Sequence, residues 1–149
     1  MKYLGIDYGK KRIGVAVSDE GAVMAFPLGT VENGASAIQE ETALREVLDI
    51  VQENGVKIAV MGESRDLSGK PNPIMRDIES FAEKLQSAGI VVEFEPEFFT
   101  SAQAERQFGK LTAEKPRARK TKAPDPEHHD ASAAALILQS YLDRRRKNG

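Results

Sequence analysis

The sequence has 149 residues, of which 40% are hydrophobic and 30% charged, and its formal net charge is −2. This length and composition fit one globular domain, spanning residues 1–149, with a core of its own. The chain contains no cysteine, which excludes disulfides and thiolate metal sites. No apolar stretch approaches the roughly 20 residues that a bilayer requires, and no signal-peptide pattern opens the chain. We therefore expect a cytoplasmic protein with no membrane partner.

Three strands are predicted at the start of the chain, over residues 2–8, 11–18 and 22–31. Short polar turns separate them, which is hairpin spacing. Pro27 in the third run predicts an edge strand or an early end, because proline cannot donate to the hydrogen-bond ladder of a sheet. Together the three runs predict an antiparallel meander.

Asp7 places a carboxylate inside the otherwise apolar first strand, in the run GIDYG at residues 5–9. An ionised carboxylate there is costly unless it meets a cation or several hydrogen-bond donors. The glycines beside it allow a ligand to approach the backbone. We interpret Asp7 as part of a metal or phosphate site. The alternative is a turn cap satisfied by backbone N–H groups.

The rest of the chain alternates helices with strands. Helices are predicted over 35–53, 73–88, 100–107 and 127–145, and strands over 57–62 and 90–94. The apolar stripe of the first helix is Ile38, Leu44, Val47, Leu48 and Val51. This order predicts an α/β fold with a mixed five-stranded sheet, three antiparallel strands followed by two parallel ones, flanked by helices.

A basic segment covers residues 109–126, and its cations include Lys115, Arg117, Arg119 and Lys120. It is too polar and too rich in proline to pack regularly, so we expect a mobile loop. A solvated surface loop is the simplest interpretation, but this charge would also suit a phosphodiester backbone. The basic residues of 144–149 are interpreted as a frayed, solubilising tail.

Two further carboxylates stand out by position. Glu97 lies just beyond the fifth strand, where ligands gather in parallel α/β sheets. Asp130 shares a helical face with Ala134, Ile137 and Tyr141, which turns it toward the sheet. If the last helix packs across the first strand, Asp130 approaches the carboxylate of the first strand. The alternatives are a helix N-cap for Asp130 and a turn residue for Glu97.

Three carboxylates without thiolates would make an oxygen-only site that suits Mg²⁺ or Mn²⁺. Two such ions about 4 Å apart stabilise both the attacking and the leaving oxygen of a phosphoryl displacement. Lys10, Lys11 and Arg12 lie on the hairpin beside this site, either contacting phosphate or forming a solvated turn. His128 and His129 are adjacent on a helix, so at most one of them faces the site.

The motifs together resemble a known family. They are GIDYG at 5–9, RIGVA at 12–16, Glu97 followed by TS at 100–101 and AER at 104–106, and DASAA and ILQSYL within 130–142. This pattern is similar to the YqgF family, the RuvX-type Holliday junction resolvases of bacteria. The resemblance implies an RNase H-like fold and a metal-dependent nuclease, with Asp7, Glu97 and Asp130 as its acidic residues. It also implies a role at the 5′ end of pre-16S ribosomal RNA.

The chain departs from the family pattern around Glu97. The family motif reads Asp-Glu-Arg-Leu-Thr-Thr, whereas Pro96 and Phe98 flank the glutamate here. An arginine after the glutamate could bind a phosphate through two hydrogen bonds, and Phe98 cannot. The difference affects substrate affinity and preference more than the fold.

The main hypothesis is a Mg²⁺- or Mn²⁺-dependent nuclease that acts on structured RNA or branched DNA. Processing of pre-16S RNA is placed ahead of Holliday junction resolution. The alternatives are a non-catalytic nucleic-acid-binding protein of the same fold and a phosphate-binding module of the sugar-kinase type. A junction resolvase needs two active sites and therefore a two-fold dimer, whereas RNA trimming does not, so monomer and homodimer both stay open.

Overall fold

The computed structural model describes residues 1–64, 72–97 and 126–148. The elements are β1 (Lys2–Asp7), β2 (Arg12–Ser18), β3 (Ala25–Glu32), α1 (Ala37–Glu53), β4 (Val56–Ser64), α2 (Met75–Ser87), β5 (Val91–Glu97) and α3 (Pro126–Asn148). The helix predicted over 100–107 and most of the basic segment 109–126 lie outside the described residues. In the described part of the chain, none of the helices is both long and apolar enough to cross a membrane.

The five strands form one mixed sheet in the order β3-β2-β1-β4-β5. The β1–β2 and β2–β3 pairs are antiparallel, whereas the β1–β4 and β4–β5 pairs are parallel. This arrangement confirms the predicted fold class. Because β1, β4 and β5 run in the same direction, their carboxyl ends meet at one edge of the sheet, the position at which ligands gather in parallel α/β sheets.

The edge position of β3 agrees with the prediction from Pro27. The pairing register shifts between Val15, which faces Gly29, and Ala16, which faces Pro27. Leu28 is therefore the extra residue of a β-bulge. A bulge and a proline together leave β3 a poor template for pairing with another strand.

β3 begins at Ala25, three residues later than predicted, because Asp19 closes the preceding turn. The Asp19 Oδ1 atom accepts hydrogen bonds from the backbone nitrogens of Val23 at 2.8 Å and Met24 at 3.0 Å. The same hydrogen bonds from Met24 and Val23 lower the pKa of Asp19 below its ordinary value. Ala22 adopts a left-handed conformation, with φ of 57°, within this turn.

The two faces of the sheet carry separate cores. One core packs α1 and α2 against the sheet, and the other packs α3 against residues such as Tyr3, Ala16 and Val60. The predicted stripe of α1 is wrong at Ile38, which is 78% exposed, and it omits Ala43, which is fully buried. The buried positions Ala43, Val47 and Val51 are four residues apart, and Ile38 lies about 140° around the helix from Ala43 at 100° per residue.

Candidate functional site

Asp7 is the last residue of β1, where it pairs with Gly14 of β2, and it is half-buried. Its neighbour Ile6 belongs to the core on the α1–α2 face of the sheet. Because successive side chains of a strand point to opposite faces, Asp7 shares the α3 face with Tyr3 and Gly5. The carboxylate therefore lies at the edge where β1, β4 and β5 end, on the side that α3 covers.

The last helix crosses β1 at Gly5. A Cβ on this residue would lie 2.7 Å from the carbonyl oxygen of Ala134 and 2.7 Å from the Cβ of Leu138, so only glycine allows the helix to come this close. Further back along the strand, the Tyr3 and Tyr141 rings lie 5.8 Å apart. The helix thus runs opposite to β1, and its amino-terminal turns extend toward the carboxyl end of the strand. This confirms the predicted packing across the first strand.

The turn between β1 and β2 is held by Asn33, which the sequence analysis did not single out. The Asn33 side-chain nitrogen donates to the carbonyl oxygen of Gly9 at 2.8 Å, and its backbone nitrogen donates to that of Lys11 at 2.8 Å. A Cβ on Gly9 would lie 2.5 Å from the carbonyl oxygen of Arg12, so the turn is closed tightly on itself. These contacts fix the loop that directly follows Asp7.

Tyr8 anchors the same turn to α2. Its ring lies 5.3 Å from that of Phe81. Burial raises the pKa of Tyr8 above its ordinary value, and a side-chain hydrogen bond with Asn33 opposes part of that rise. The hydroxyl is therefore neutral at physiological pH and acts in the structure as an anchor.

The predicted cations of the turn differ in exposure. Lys10 and Lys11 are exposed, whereas Arg12 is half-buried at the start of β2. The two lysines thus present their charges to solvent beside Asp7, as a phosphate contact requires. The other predicted nucleic-acid contacts lie outside the described residues: Lys115, Arg117, Arg119 and Lys120.

The backbone positions of the other two predicted carboxylates are described. Glu97 ends β5 and pairs with Ser64 of β4, and Asp130 lies near the start of α3, four residues before Ala134. The side chains of Glu97 and of residues 126–130, including both histidines, are outside the described part of the chain. Among the side chains that are described, no three histidines or carboxylates converge as a metal site.

Glu95 is a buried carboxylate that no motif in the sequence marks. Only 6% of the residue is exposed, and it ties β5 to α3. Its Oε2 atom accepts a hydrogen bond from the Ser140 hydroxyl at 2.9 Å, and its Oε1 atom accepts one from Arg144. The hydrogen bond with Glu95 raises the pKa of Arg144 further above its ordinary value. The interpretation of Arg144 as part of a frayed tail is therefore wrong, because α3 extends to Asn148.

Curated relatives cover nearly the whole chain. A protein of Chloroflexus aurantiacus named "Putative pre-16S rRNA nuclease" is 38% identical over 146 residues, which cover 97% of this chain and 88% of that protein. A protein of Desulforudis audaxviator with the same name is 35% identical over 147 residues, which cover 98% of this chain and 96% of that protein.

Two solved structures share the fold. RuvC of T. thermophilus, in complex with a Holliday junction substrate, has a TM-score of 0.56 at 20% identity, covering 98% of this chain and 96% of that one. The fowlpox virus resolvase, in complex with Holliday junction DNA, has a TM-score of 0.57 at 13% identity, covering 97% of this chain and 98% of that one. The likeness confirms the RNase H-like architecture that the resemblance implied.

A family model described as "RuvX: Holliday junction resolvase" matches residues 1–144. This match covers the motifs at the start of the chain, around Glu97 and in α3. With the full-length identity to the curated relatives, it establishes the family that the motifs resemble. The chain belongs to the RuvX family of nucleases.

Proposed function

We propose that this protein is a metal-dependent nuclease that hydrolyses phosphodiester bonds at the 5′ end of pre-16S ribosomal RNA. Membership of the RuvX family supports the reaction class, and the names of the curated relatives support the substrate. The observation that carries the proposal is the crossing of α3 over β1 at Gly5, because it directs the amino-terminal turns of α3 toward the strand end that bears Asp7.

The geometry of that crossing supports Asp7 and Asp130 as neighbours. Four residues of helix separate Ala134 from Asp130, about 6 Å along the axis at 1.5 Å per residue. Two residues of strand separate Gly5 from Asp7, about 7 Å at 3.3 Å per residue. The two displacements start from the same contact, run in the same direction and have similar lengths, so both acidic residues belong at the same end of the crossing.

The pairing register supports Glu97 as the third acidic residue. Ile6 pairs with Met61, and Met61 pairs with Phe94, so these three residues form one row across the sheet. Asp7 follows this row by one residue and Glu97 by three, at the edge where both strands end. Asp7, Glu97 and Asp130 are therefore the residues that we assign to the catalytic centre.

The chemistry of these residues fits a hard divalent cation. All three are carboxylates, and the chain has no cysteine that would favour a softer metal. We assign them to hold Mg²⁺ or Mn²⁺, which when bound would stabilise the charge on the attacking and leaving oxygens. Asp7 and Glu97 lie at strand ends and Asp130 lies on α3, so all three residues belong to regular elements rather than to a loop.

The cations near the site are assigned to the nucleic-acid backbone. Lys10 and Lys11 are exposed on the turn after Asp7, so their ammonium groups can reach phosphate oxygens on either side of the scissile bond. Because the hydrogen bonds of Asn33 hold the backbone of this turn, the backbone positions of both lysines are fixed relative to the catalytic edge. The basic residues of segment 109–126 would extend the contact along the backbone.

Holliday junction resolution is the second candidate, and the description of the family model favours it. That reaction needs two active sites and therefore a two-fold homodimer, whereas trimming of an RNA end needs one site and a monomer is sufficient. Both substrates would be met in the cytoplasm of a bacterial cell. The two candidates share the same catalytic residues and differ in substrate and assembly.

The deciding experiment compares wild type with Asp7→Asn on two substrates, a pre-16S 5′ leader and a four-way DNA junction, in Mg²⁺, Mn²⁺ or EDTA. Cleavage of the leader that is lost in EDTA and in the variant is the expected result. Cleavage of the junction alone would favour the second candidate. Binding of both substrates without cleavage would contradict the nuclease proposal and favour a non-catalytic nucleic-acid-binding protein.

A further inference from the structure

The buried carboxylate Glu95 requires an explanation that the proposed catalytic residues do not provide. Its side chain is 7% exposed, whereas Val91, the first residue of the same strand, is 52% exposed, so burial is not general along β5. A carboxylate in such an environment is retained only when it is paired and hydrogen-bonded. Both of its oxygens are in fact occupied, one by Ser140 and the other by Arg144 of α3.

The location of Glu95 connects it with the catalytic edge. Gly62 pairs with Glu95, and Asp7 continues the row of Gly62 on the other side, since Ile6 pairs with Met61. The three residues thus lie level across β1, β4 and β5. Glu95 and Asp7 both face α3, and the glycine between them contributes no side chain. Two residues after Glu95, the strand ends at Glu97.

The contact with Glu95 also determines how α3 lies on β5. Ser140 and Arg144 are one helical turn apart, so they approach the carboxylate from the same face of α3. Asp130 lies on the same rigid helix, ten residues before Ser140. Asp130 and Glu97 are therefore connected through regular structure. Asp130 lies on α3, α3 contacts Glu95, and Glu97 follows Glu95 by two residues of β5.

We propose that Glu95, Ser140 and Arg144 form a clamp that sets the distance between the ends of β5 and α3, and thereby between the metal-binding carboxylates Glu97 and Asp130. Glu95 and Arg144 are positioning residues in this scheme and do not touch the substrate. The inference rests on the proposed function, because it assigns a role to residues that support the proposed metal site.

The test uses Arg144→Met, which leaves the Glu95 carboxylate buried without its cation. A buried unpaired charge moves toward water, and here it would carry the end of β5 with it. We expect the affinity for Mn²⁺, measured by electron paramagnetic resonance without substrate, to fall at least fivefold. We also expect kcat on the RNA leader at saturating Mn²⁺ to fall at least tenfold, with KM within threefold of wild type.

The double variant Glu95→Gln/Arg144→Met separates positioning from a loss of stability. It removes both charges, and the Gln side chain can still accept from Ser140, so β5 should return to its place. Mn²⁺ affinity within twofold of wild type is expected for it. Arg146→Met is the matched control: it breaks the ion pair with Asp143 on the same helix, in which both side chains are about half exposed, and it should leave Mn²⁺ affinity unchanged.

The clamp would be overturned if Arg144→Met bound Mn²⁺ as tightly as wild type. It would also be overturned if the double variant bound Mn²⁺ no more tightly than the single variant. If Arg144→Met does not fold, Ser140→Ala and Arg144→Lys replace it, with weakened Mn²⁺ binding expected and unchanged binding again overturning the clamp. Wild type that cleaves neither substrate in any metal would contradict the proposed function. The binding measurement uses no substrate, so the two failures can be told apart.

Discussion

Gly5 of β1 and Ala134 of α3 lie in direct contact, and a Cβ on residue 5 would come within 2.7 Å of the Ala134 carbonyl oxygen. The atoms on the helix side are backbone and a Cβ, which cannot turn away as the end of a flexible side chain can. The whole helix would have to move to accept even a methyl group. This contact fixes how closely the end of the chain approaches the first strand.

Gly5→Ala should therefore destabilise the protein by about 1–3 kcal/mol, the usual cost of overpacking a filled core. The measurement is urea-induced unfolding followed by circular dichroism. Gly21→Ala is the control, because the nearest atom to a Cβ at that turn residue is 3.6 Å away, an ordinary contact. A Gly5→Ala variant as stable as wild type would show that α3 is not held at this crossing.

Asp7→Asn should lower cleavage by at least about a hundredfold, the scale on which one essential electrostatic group contributes to catalysis. Fluorescence anisotropy should show substrate binding within about threefold of wild type, because the change removes one proposed metal ligand and leaves the cations in place. Asp19→Asn serves as control, since Asp19 caps the turn at the other end of β2. Retained cleavage by Asp7→Asn in saturating Mg²⁺ would contradict the catalytic assignment.

Replacing both Lys10 and Lys11 with alanine should weaken binding of all nucleic acids and reduce its dependence on salt. Each lost phosphate contact lowers the slope of log K against log salt by about 0.7 for single strands and about 0.9 for duplexes. Binding is measured at several salt concentrations from roughly 50 to 200 mM, a range over which such slopes can be determined. Lys57→Ala is the control, because this exposed residue lies at the opposite end of the sheet. An unchanged slope would exclude the turn as a phosphate contact.

Asp19 should make the stability of the protein depend on pH in the acid range. Its pKa is lowered in the folded state, so the stabilisation is fully present above the unfolded-state value of about 3.9 and is lost as pH falls through the lower folded value. The difference in Tm between wild type and Asp19→Asn should thus shrink below about pH 4. A difference constant with pH would contradict the assigned cause.

Much of the fold follows from local pattern. The positions of the first two strands, Pro27 at an edge and the spacing of Ala134, Ile137 and Tyr141 each correspond to what the structure contains, and all three of those helical residues are buried. These features depend on the spacing of apolar residues and on the backbone N–H that proline lacks, and both can be read from a single sequence. The order of helices and strands predicts the mixed sheet, and the resemblance to the family adds its RNase H-like assignment.

The local sequence pattern does not show which side chains pair when the residues are far apart in the sequence. Glu93, Glu95 and Glu97 are the same residue type at alternate positions of one strand, so the sequence does not show that Arg144 pairs with Glu95. The partner, Arg144, lies 49 residues away in a run of basic residues that resembles any solvated helix end. Ile38 illustrates the reverse error, because the helical pattern predicts it in the core and it is exposed.

The crossing of α3 over β1 has a consequence for folding. Gly5 and Ala134 are in contact but lie 129 residues apart in the sequence, so this contact closes a long loop. Closing a long loop costs chain entropy before the contact stabilises the protein, so we expect α3 to dock after the shorter-range pairing of β1 with β2. The core beneath α3 is then among the last parts of the protein to form.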